Sequence, residues 1–478
     1  MTHRLQSLTR VTTVLLFGRV LGVAFGLTNS VVLARVLGTE GLGQYAYAMG
    51  LAAMFGLLPN LGLSTVITRA VARDPNGGGG IIRAAARAQA LLGLAVFALI
   101  LLVAAVLPFQ PASLWQVGLA AAQLVLGSFT WPYLAVLAGH ARYDRVAVIE
   151  LVAGMMGTIG VLIAARFGGT IVSFLWAHVV SAGASIAIAK IVVDPFLPDA
   201  REGRCTLPSI IREAVPFGAA AAVQSLYTRV DIMLLGQLSS SAMVGLYSAA
   251  YKPINMVLNF GASAAGTLFP YLVQESQGHP SGSFERVMRV FLVVAPAVAL
   301  FMGGISDTLL RLLFGTEFAA GATMLTILSW SAAANWLYAP CGIALQARGK
   351  EHVWMRALAG ACLLNVLLNL WAIPRWGGVG AAASTLICEV GLLMAGAFMM
   401  VRHLGLVIPR AIVLASCSAA TLGLAVWVGL KPWGDLVATA AAGLVYVCVL
   451  WLLRVATTAD IAKLVGRFRE TVQGHARA

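Results

Sequence analysis

Long apolar segments alternate with short polar turns along this 478-residue chain. An apolar run of about 20 residues is long enough to cross the hydrocarbon core of a bilayer as a helix, and about fourteen such runs can be placed here. They fall near residues 11–36, 43–70, 84–107, 113–138, 145–165, 170–193, 209–236, 242–272, 286–305, 319–347, 353–373, 378–401, 409–430 and 436–454. The pattern predicts an all-α, polytopic membrane protein with about 14 transmembrane helices.

Charge adds an orientation to this pattern. The chain is 60% hydrophobic and 10% charged, with a mean hydropathy of +0.89 and a net charge of +14. Alternate loops hold most of the lysine and arginine residues, for example Arg69 with Arg73 and Arg142 with Arg145. Such loops stay in the cytoplasm, so both termini are predicted to be cytoplasmic. The charge then faces anionic membrane lipids, and no nucleic acid is needed to explain it.

The N-terminal span and the loops carry no targeting or catalytic signal. The first span lacks a small-residue cleavage site before Arg35 and is interpreted as an uncleaved helix. The chain has no HExxH, Walker or GxSxG motif, and its longest predicted loop, about 20 residues, is too short for a catalytic or ATPase domain. We therefore expect no catalytic residue, metal or cofactor. An ion gradient, the membrane potential or the cargo's own gradient would supply the energy.

A charged, proline-containing connector follows the sixth span. The predicted organisation is an N-terminal six-helix lobe at 1–193, a cytoplasmic linker at 194–208, a C-terminal six-helix lobe at 209–403, helices 13 and 14 at 404–456, and a basic cytoplasmic tail at 457–478. Shifting the sequence by 202 residues aligns Asn29 with Asp231 and the Gly43-x-Tyr element with the Gly245-x-Tyr element. Both copies start on the same side of the membrane, as a parallel repeat requires. The repeat predicts two lobes around a central cavity.

Ionisable residues inside the apolar spans are the main candidates for function, because each costs about 3 kcal/mol or more in the membrane. They are Arg19, Arg35, Arg229, Asp231, Lys252, Glu389 and, at an edge, Glu150. Such groups are retained when they line a wet cavity or pair with one another. The four positive charges against three negative ones favour an anionic cargo.

Several sequence elements resemble one transporter family. They are Phe17-Gly-Arg-Val-Leu-Gly, Leu33-Ala-Arg-Val-Leu-Gly-Thr-Glu-Gly-Leu-Gly-Gln-Tyr, Leu61-Gly-Leu-Ser-Thr with Arg69, Val215-Pro-Phe, Asp231-Ile-Met-Leu-Leu-Gly and Val244-Gly-Leu-Tyr. Across roughly residues 5 to 405 the chain resembles the polysaccharide (O-antigen/exopolysaccharide) flippases of the multidrug/oligosaccharidyl-lipid/polysaccharide exporter superfamily. The resemblance implies a two-lobed, V-shaped fold. It also implies transport of undecaprenyl-diphosphate-linked oligosaccharides across the bacterial plasma membrane, with polysaccharide polymerase and glycosyltransferases as partners.

Other functions stay open at this point. Lipid II flippases share fourteen spans and an arginine in the first helix, but this chain has Gly-Gln-Tyr-Ala at 43–46 and Leu-Pro-Asn at 58–60 in place of elements associated with them. A cation-coupled multidrug exporter of the same superfamily would be expected to carry an excess of acidic residues, and the intramembrane count runs the other way. A scaffold that does not transport would have no reason to keep intramembrane charge.

Helix 1 carries a stripe of polar and small residues at helical spacing. The stripe consists of Thr12, Arg19, Gly22, Gly26 and Asn29. A planar, permanently charged guanidinium suits the oxygens of a diphosphate, and the glycines would leave room beside it. Alternatively, Arg19 forms a structural ion pair and the glycines pack closely against another helix. Arg35 lies near the outer end, where it either lines the cavity or reaches the interface.

The eighth predicted span, residues 242–272, carries the clearest polar face. Its members are Ser248, Lys252, Asn255, Asn259 and Ser263, at spacings of four, three, four and four. Unsatisfied polar groups are costly in hydrocarbon, so this face predicts either a wet wall for sugars or hydrogen bonds between helices.

The remaining candidates lie on the seventh predicted span, residues 209–236, and on the twelfth, residues 378–401. Arg229 and Asp231 are two residues apart, about 200° around a helix, and cannot both face one cavity. Asp231 is either a salt-bridge partner, for example of Lys252, or a cation or proton coupler. Glu389 is either protonated, paired or a coupling site.

Overall fold

The computed structural model describes residues 2–74, 78–107, 111–196, 225–266, 268–269, 272–273, 283–405 and 410–453. The side chains of 2–17, 19–20, 78–83, 283 and 410 lie outside this description. The principal helices are α1 (Thr2–Met54), α2 (Leu63–Arg73), α3 (Gly78–Val106), α4 (Leu114–Ser128), α5 (Trp131–Gly139), α6 (Tyr143–Arg166), α7 (Ile171–Val193), α8 (225–238), α9 (Ser241–Gly266), α10 (Ser283–Gly304), α11 (Ser306–Phe314), α12 (Ala322–Ala347), α13 (Glu351–Leu404), α14 (Arg410–Leu430) and α15 (Asp435–Leu452).

The all-α, polytopic architecture predicted from hydropathy is confirmed. Within the described ranges, nine helices are long and apolar enough to cross a membrane. Leu21–Met54 holds much of the first predicted span and the beginning of the second, and Glu351–Leu404 holds the eleventh and twelfth predicted spans. The spans meet at Gly38 (φ 65°) and Gly377 (φ 55°), where a positive φ that glycine tolerates kinks the chain between them.

The second and fourth predicted spans are not continuous, which corrects the sequence prediction. Residues 55–62 form turns between α1 and α2. Pro59 lies in this segment, Gly62 has a φ of 86°, and the Asn60 side chain accepts the Ser64 amide at 3.0 Å to begin α2. The fourth span breaks at 129–130, just before Pro132. Because an apolar window registers neither proline nor glycine geometry, hydropathy could not show these breaks.

The chain forms two compact units, residues 1–248 and 249–478. A core at the end of α2 and α5 holds the first unit together, with Ile67, Val71, Val136, Ile149 and Val193 fully or almost fully buried. A core in the second unit includes Leu268, Met288, Cys341 and Met400. Most of the predicted linker lies in residues 197–224, outside the described residues, so the predicted lobe boundaries stay predictions.

The end of α7 is fixed to the turn between α5 and α6. The Arg145 guanidinium lies 4.5 Å from the centre of the Phe196 ring and donates to the Val192 carbonyl at 3.2 Å. Beside it, Arg142 makes two hydrogen bonds to Asp144. These contacts fix the point at which the chain leaves α7. The connector that leads to the second half of the chain begins there.

Candidate transport site

The described part of α1 keeps open space along the predicted stripe. Apart from the neighbouring residues and backbone of α1 itself, no atom of the described residues lies within 4 Å of the position that a Cβ would take on Gly22 or on Gly26. These glycines therefore do not serve close packing against a described helix, which was one of the two interpretations. The Asn29 Oδ1 is buried and has no hydrogen-bond partner among the described residues. Arg19 lies on the α1 backbone, but its side chain is outside the description. Arg35 is exposed.

The polar face of α9 is mostly accessible. Lys252, Asn255, Asn259 and Ser263 are exposed, whereas Ser248 is buried. The opposite side of the helix packs on α12, where the Trp336 indole donates to the Val257 carbonyl at 2.9 Å. A Cβ on Gly261 would collide with the same indole. The tryptophan therefore fixes the rotation of α9 and leaves the polar face uncovered within the second unit.

Helix α8 places its two charges on different sides, as the helical period predicts. Arg229 is exposed, while Asp231 is only 6% exposed. The Tyr247 hydroxyl donates to the Asp231 carboxylate at 3.0 Å. This tyrosine was not foreseen as a partner, because it lies on the next helix and aromatic residues give no charge signal.

Glu389 belongs to a buried polar cluster between α12 and α13. Its side chain is 6% exposed, and the Asn335 amide donates to it at 3.3 Å. The same amide contacts the Tyr338 hydroxyl at 2.6 Å, and that hydroxyl also hydrogen-bonds Glu389. The sequence did not connect Asn335 with Glu389, since 54 residues separate them.

With the exception of Glu150, the described charges within the spans sort by sign. The described cations Arg35, Arg229 and Lys252 are exposed, whereas the carboxylates Asp231 and Glu389 are buried in hydrogen bonds. Glu150, near the start of α6, is exposed. Among the described residues no group of three or more His, Cys, Asp or Glu side chains could hold a metal ion. The exposed polar groups of the spans thus include three cations and the amides of Asn255 and Asn259.

The architecture is that of known membrane transporters. A lipid II flippase, MurJ, in an inward closed conformation superposes with a TM-score of 0.75 and 13% identity, covering 92% of this chain and 98% of that chain. An inward-facing multidrug resistance MATE family transporter of the MOP superfamily gives 0.62 at 13% identity, covering 80% and 95%. A MOP superfamily transporter from Pyrococcus furiosus gives 0.57 at 13% identity, covering 86% and 95%. At these identities the likeness establishes the fold.

Sequence comparison assigns the chain to one protein family. The polysaccharide biosynthesis protein family matches residues 8–276, more than half of the chain, and the chain belongs to this family. A curated relative, the probable low-salt glycan biosynthesis flippase Agl15 of Haloferax volcanii, is 29% identical over 166 residues, which are 33% of this chain and 34% of the relative. The match spans about a third of the relative's length. The resemblance drawn from the sequence is confirmed, and these relatives are transport proteins rather than enzymes.

Proposed function

We propose that this protein is a flippase that moves undecaprenyl-diphosphate-linked oligosaccharides across the bacterial plasma membrane for surface polysaccharide synthesis. The observation that carries the proposal is the sorting of charge. Within the spans Arg35, Arg229, Lys252, Asn255 and Asn259 are exposed, whereas Asp231 and Glu389 are buried. A lipid-linked cargo with a diphosphate is anionic and rich in hydroxyls. The accessible groups match both of these properties.

Each part of the cargo has a chemical counterpart. Arginine binds diphosphate oxygens through two parallel N–H groups, and we assign this role to Arg19 with Arg35 and Arg229 as further contacts. The amides of Asn29, Asn255 and Asn259 donate to and accept from sugar hydroxyls, with Lys252 adding charge on the same α9 face. The open space beside Gly22 and Gly26 would admit a bulky head group next to helix 1.

Membership of a polysaccharide biosynthesis family supports a glycan cargo over a cationic drug. The same charge sorting argues against a cationic drug, because Asp231 and Glu389 are buried and, of the three intramembrane carboxylates, Glu150 alone is exposed, near the start of α6. Polysaccharide polymerase and glycosyltransferases would supply and consume the cargo on the two sides of the membrane.

The Glu389 cluster is assigned to energy coupling. A carboxylate held by neutral donors such as Asn335 and Tyr338 can exchange a proton or a monovalent cation without placing charge in the cargo path. The buried position of the cluster within the second unit supports this division of roles.

The test uses a strain in which the gene is deleted and complemented. Wild-type protein should restore the surface polymer, and Arg19→Ala should abolish it at a near-normal protein level. Arg19→Lys should restore only part, because an ammonium keeps the charge but loses the planar pair of N–H groups. The control is Arg166→Ala, an exposed arginine at the end of α6, which should export normally.

Two outcomes would overturn the proposal. Normal polymer export by Arg19→Ala would remove the diphosphate role. Rescue of a lipid II flippase-depleted strain, with no change in any surface polymer on deletion, would identify the peptidoglycan precursor as the cargo instead.

A further inference from the structure

Two tryptophans and an arginine form an exposed cluster beside the kink of α13. The rings of Trp371 and Trp376 meet edge to face, with their centres 5.0 Å apart. The Arg375 guanidinium lies 4.8 Å from the centre of the Trp371 ring and donates to the Trp371 carbonyl at 2.6 Å. The two tryptophans are 51% and 54% exposed, and the arginine is exposed as well. The three side chains therefore position one another while remaining open to their surroundings.

The backbone that carries this cluster is closely packed. A Cβ on Gly380 would collide with the Ala372 carbonyl, so the chain on either side of the kink at Gly377 is in direct contact. Ala372 and Ile373, which lie between the first tryptophan and the arginine, are buried in the second unit. The cluster is therefore held in place before any ligand arrives, which lowers the entropic cost of binding one.

Several N–H donors of the cluster have no acceptor in the described part of the chain. The Trp371 carbonyl accepts from one guanidinium nitrogen of Arg375, which has five N–H groups in all. No ion pair joins this arginine to a described carboxylate, and neither indole nitrogen donates to a described residue. A guanidinium fork beside two indole N–H groups is suited to bind anionic oxygen atoms.

The position of the cluster along the chain indicates which anion it meets. It lies where the eleventh predicted span (353–373) ends, on the predicted outer side, and the abundant anionic group at that depth is the phosphate ester of a lipid. Tryptophan is common at this interface, which is sufficient to explain a single exposed ring such as Trp115 at the start of α4. It does not explain an arginine held over the ring.

The equivalent turn in the first unit lacks the donor cluster. Arg166-Phe167-Gly168-Gly169, between α6 and α7, matches Arg375-Trp376-Gly377-Gly378, and Gly168 also has a positive φ of 83°. However, Phe167 has no N–H group in its side chain, and Arg166 contacts no aromatic ring among the described residues. The turn is shared between the two units, whereas the paired indoles with a stacked arginine belong to the second. Arg166 therefore supplies a matched control.

We propose that Trp371, Arg375 and Trp376 form a binding site for a lipid phosphate at the outer membrane interface. The guanidinium binds the phosphate oxygens, and the indoles donate to the phosphate or to the ester oxygens beside it. The phosphate belongs either to a phospholipid of the outer leaflet or to a polyprenyl phosphate. These residues are separate from those assigned to the cargo above, and binding at this site does not depend on the proposed flippase function.

Photocrosslinking of the whole chain in dodecyl maltoside micelles, which contain no phosphate, tests the site. The probe is phosphatidylglycerol with a diazirine in the acyl chain next to the glycerol, and mass spectrometry identifies the attached peptides. Crosslinks within 365–385 should fall at least fivefold in Arg375→Gln. Glutamine can still donate to the Trp371 carbonyl, so the turn is kept while the charge and the fork are lost. Crosslinks within 113–120, around Trp115, are the internal reference and should not change.

Competing lipids distinguish the two sources of the phosphate. Unlabelled phosphatidylglycerol and undecaprenyl phosphate should both suppress the crosslinks within 365–385, and the lipid that does so at the lower concentration is the preferred ligand. Diacylglycerol, which has the chains but no phosphate, should not suppress them, and Arg166→Ala should leave them unchanged. Equal crosslinking of wild type and Arg375→Gln, or equal suppression by diacylglycerol, would overturn the proposal. Either result would show that the tryptophans are only an apolar anchor at the interface.

Discussion

The break between α4 and α5 depends on a hydrogen bond from another helix. Pro132 has no N–H and cannot donate to the Ser128 carbonyl four residues earlier. Gln89 of α3, which is fully buried, donates to that carbonyl at 3.2 Å. We expect Gln89→Leu to destabilise the protein, because a buried carbonyl that loses its donor costs about 1–3 kcal/mol.

Two opposing effects set the size of this change. The Gln89 Oε1 is buried and has no hydrogen-bond partner in the described part of the chain. Leucine therefore removes an unsatisfied acceptor while it removes the donor, and it buries additional apolar surface. The expected net loss in the free energy of unfolding is about 1 kcal/mol. Gln346→Leu, at an exposed position near the end of α12, should change it by less than about 0.5 kcal/mol.

A double-mutant cycle with Pro132→Ala isolates the proposed cause. Alanine restores an N–H that can donate to Ser128, so Gln89→Leu should cost less in that background. Equilibrium unfolding by SDS in mixed micelles would be measured for the four proteins, with an expected coupling energy of about 0.5 kcal/mol or more. An equal cost in both backgrounds would refute the account of the break.

Other outcomes test topology and the candidate site. Single cysteines in the turns 37–42 and 237–241 should react with an impermeant thiol reagent outside intact cells; reaction only after permeabilisation would contradict the predicted orientation. Glu389→Gln should keep the protein level and remove the dependence of transport on an ion gradient; an unchanged dependence would exclude its coupling role. Lys252→Glu should reduce polymer export at least tenfold and Lys252→Arg should retain it, whereas equal export by both would remove Lys252 from the cargo path.

Hydropathy was sufficient for the helical architecture but not for its interruptions. The spans could be placed because each must be apolar over about 20 residues. The breaks at 55–62 and 129–130 depend on backbone geometry at Pro59, Gly62 and Pro132, and on donors from other helices, such as Gln89. A window average contains neither kind of information.

In the candidate site too, the sequence predicts features that lie within one helix but not contacts between helices. Helical periodicity correctly separated Arg229 from Asp231, since it depends only on positions within one helix. The partners of the buried carboxylates, Tyr247 and Asn335, come from neighbouring helices. Their selection depends on how helices pack, which one sequence does not specify.

The two repeats differ at the aligned pair Asn29 and Asp231, where one has an amide and the other a carboxylate. Replacing Asp231 by asparagine therefore tests whether its charge or only its hydrogen bond is needed. Asp231 is buried and accepts a hydrogen bond from Tyr247, whereas the Asn29 Oδ1 is buried and has no hydrogen-bond partner among the described residues. An asparagine at 231 still presents an oxygen to the Tyr247 hydroxyl. Asp231→Asn should therefore lower the free energy of unfolding by less than about 1 kcal/mol, whereas Tyr247→Phe should lower it by about 1.5–3 kcal/mol, the value of a hydrogen bond to a charged group.

Transport measurements on the same variants then assign the role. If Asp231 is only structural, Asp231→Asn should export polymer normally and Tyr247→Phe should lose export in proportion to its lower protein level. If the charge couples transport to an ion, Asp231→Asn should lose export at a normal protein level. Unfolding of Asp231→Asn to the same extent as Tyr247→Phe would contradict the expectation that an amide can replace the carboxylate as the acceptor at this position.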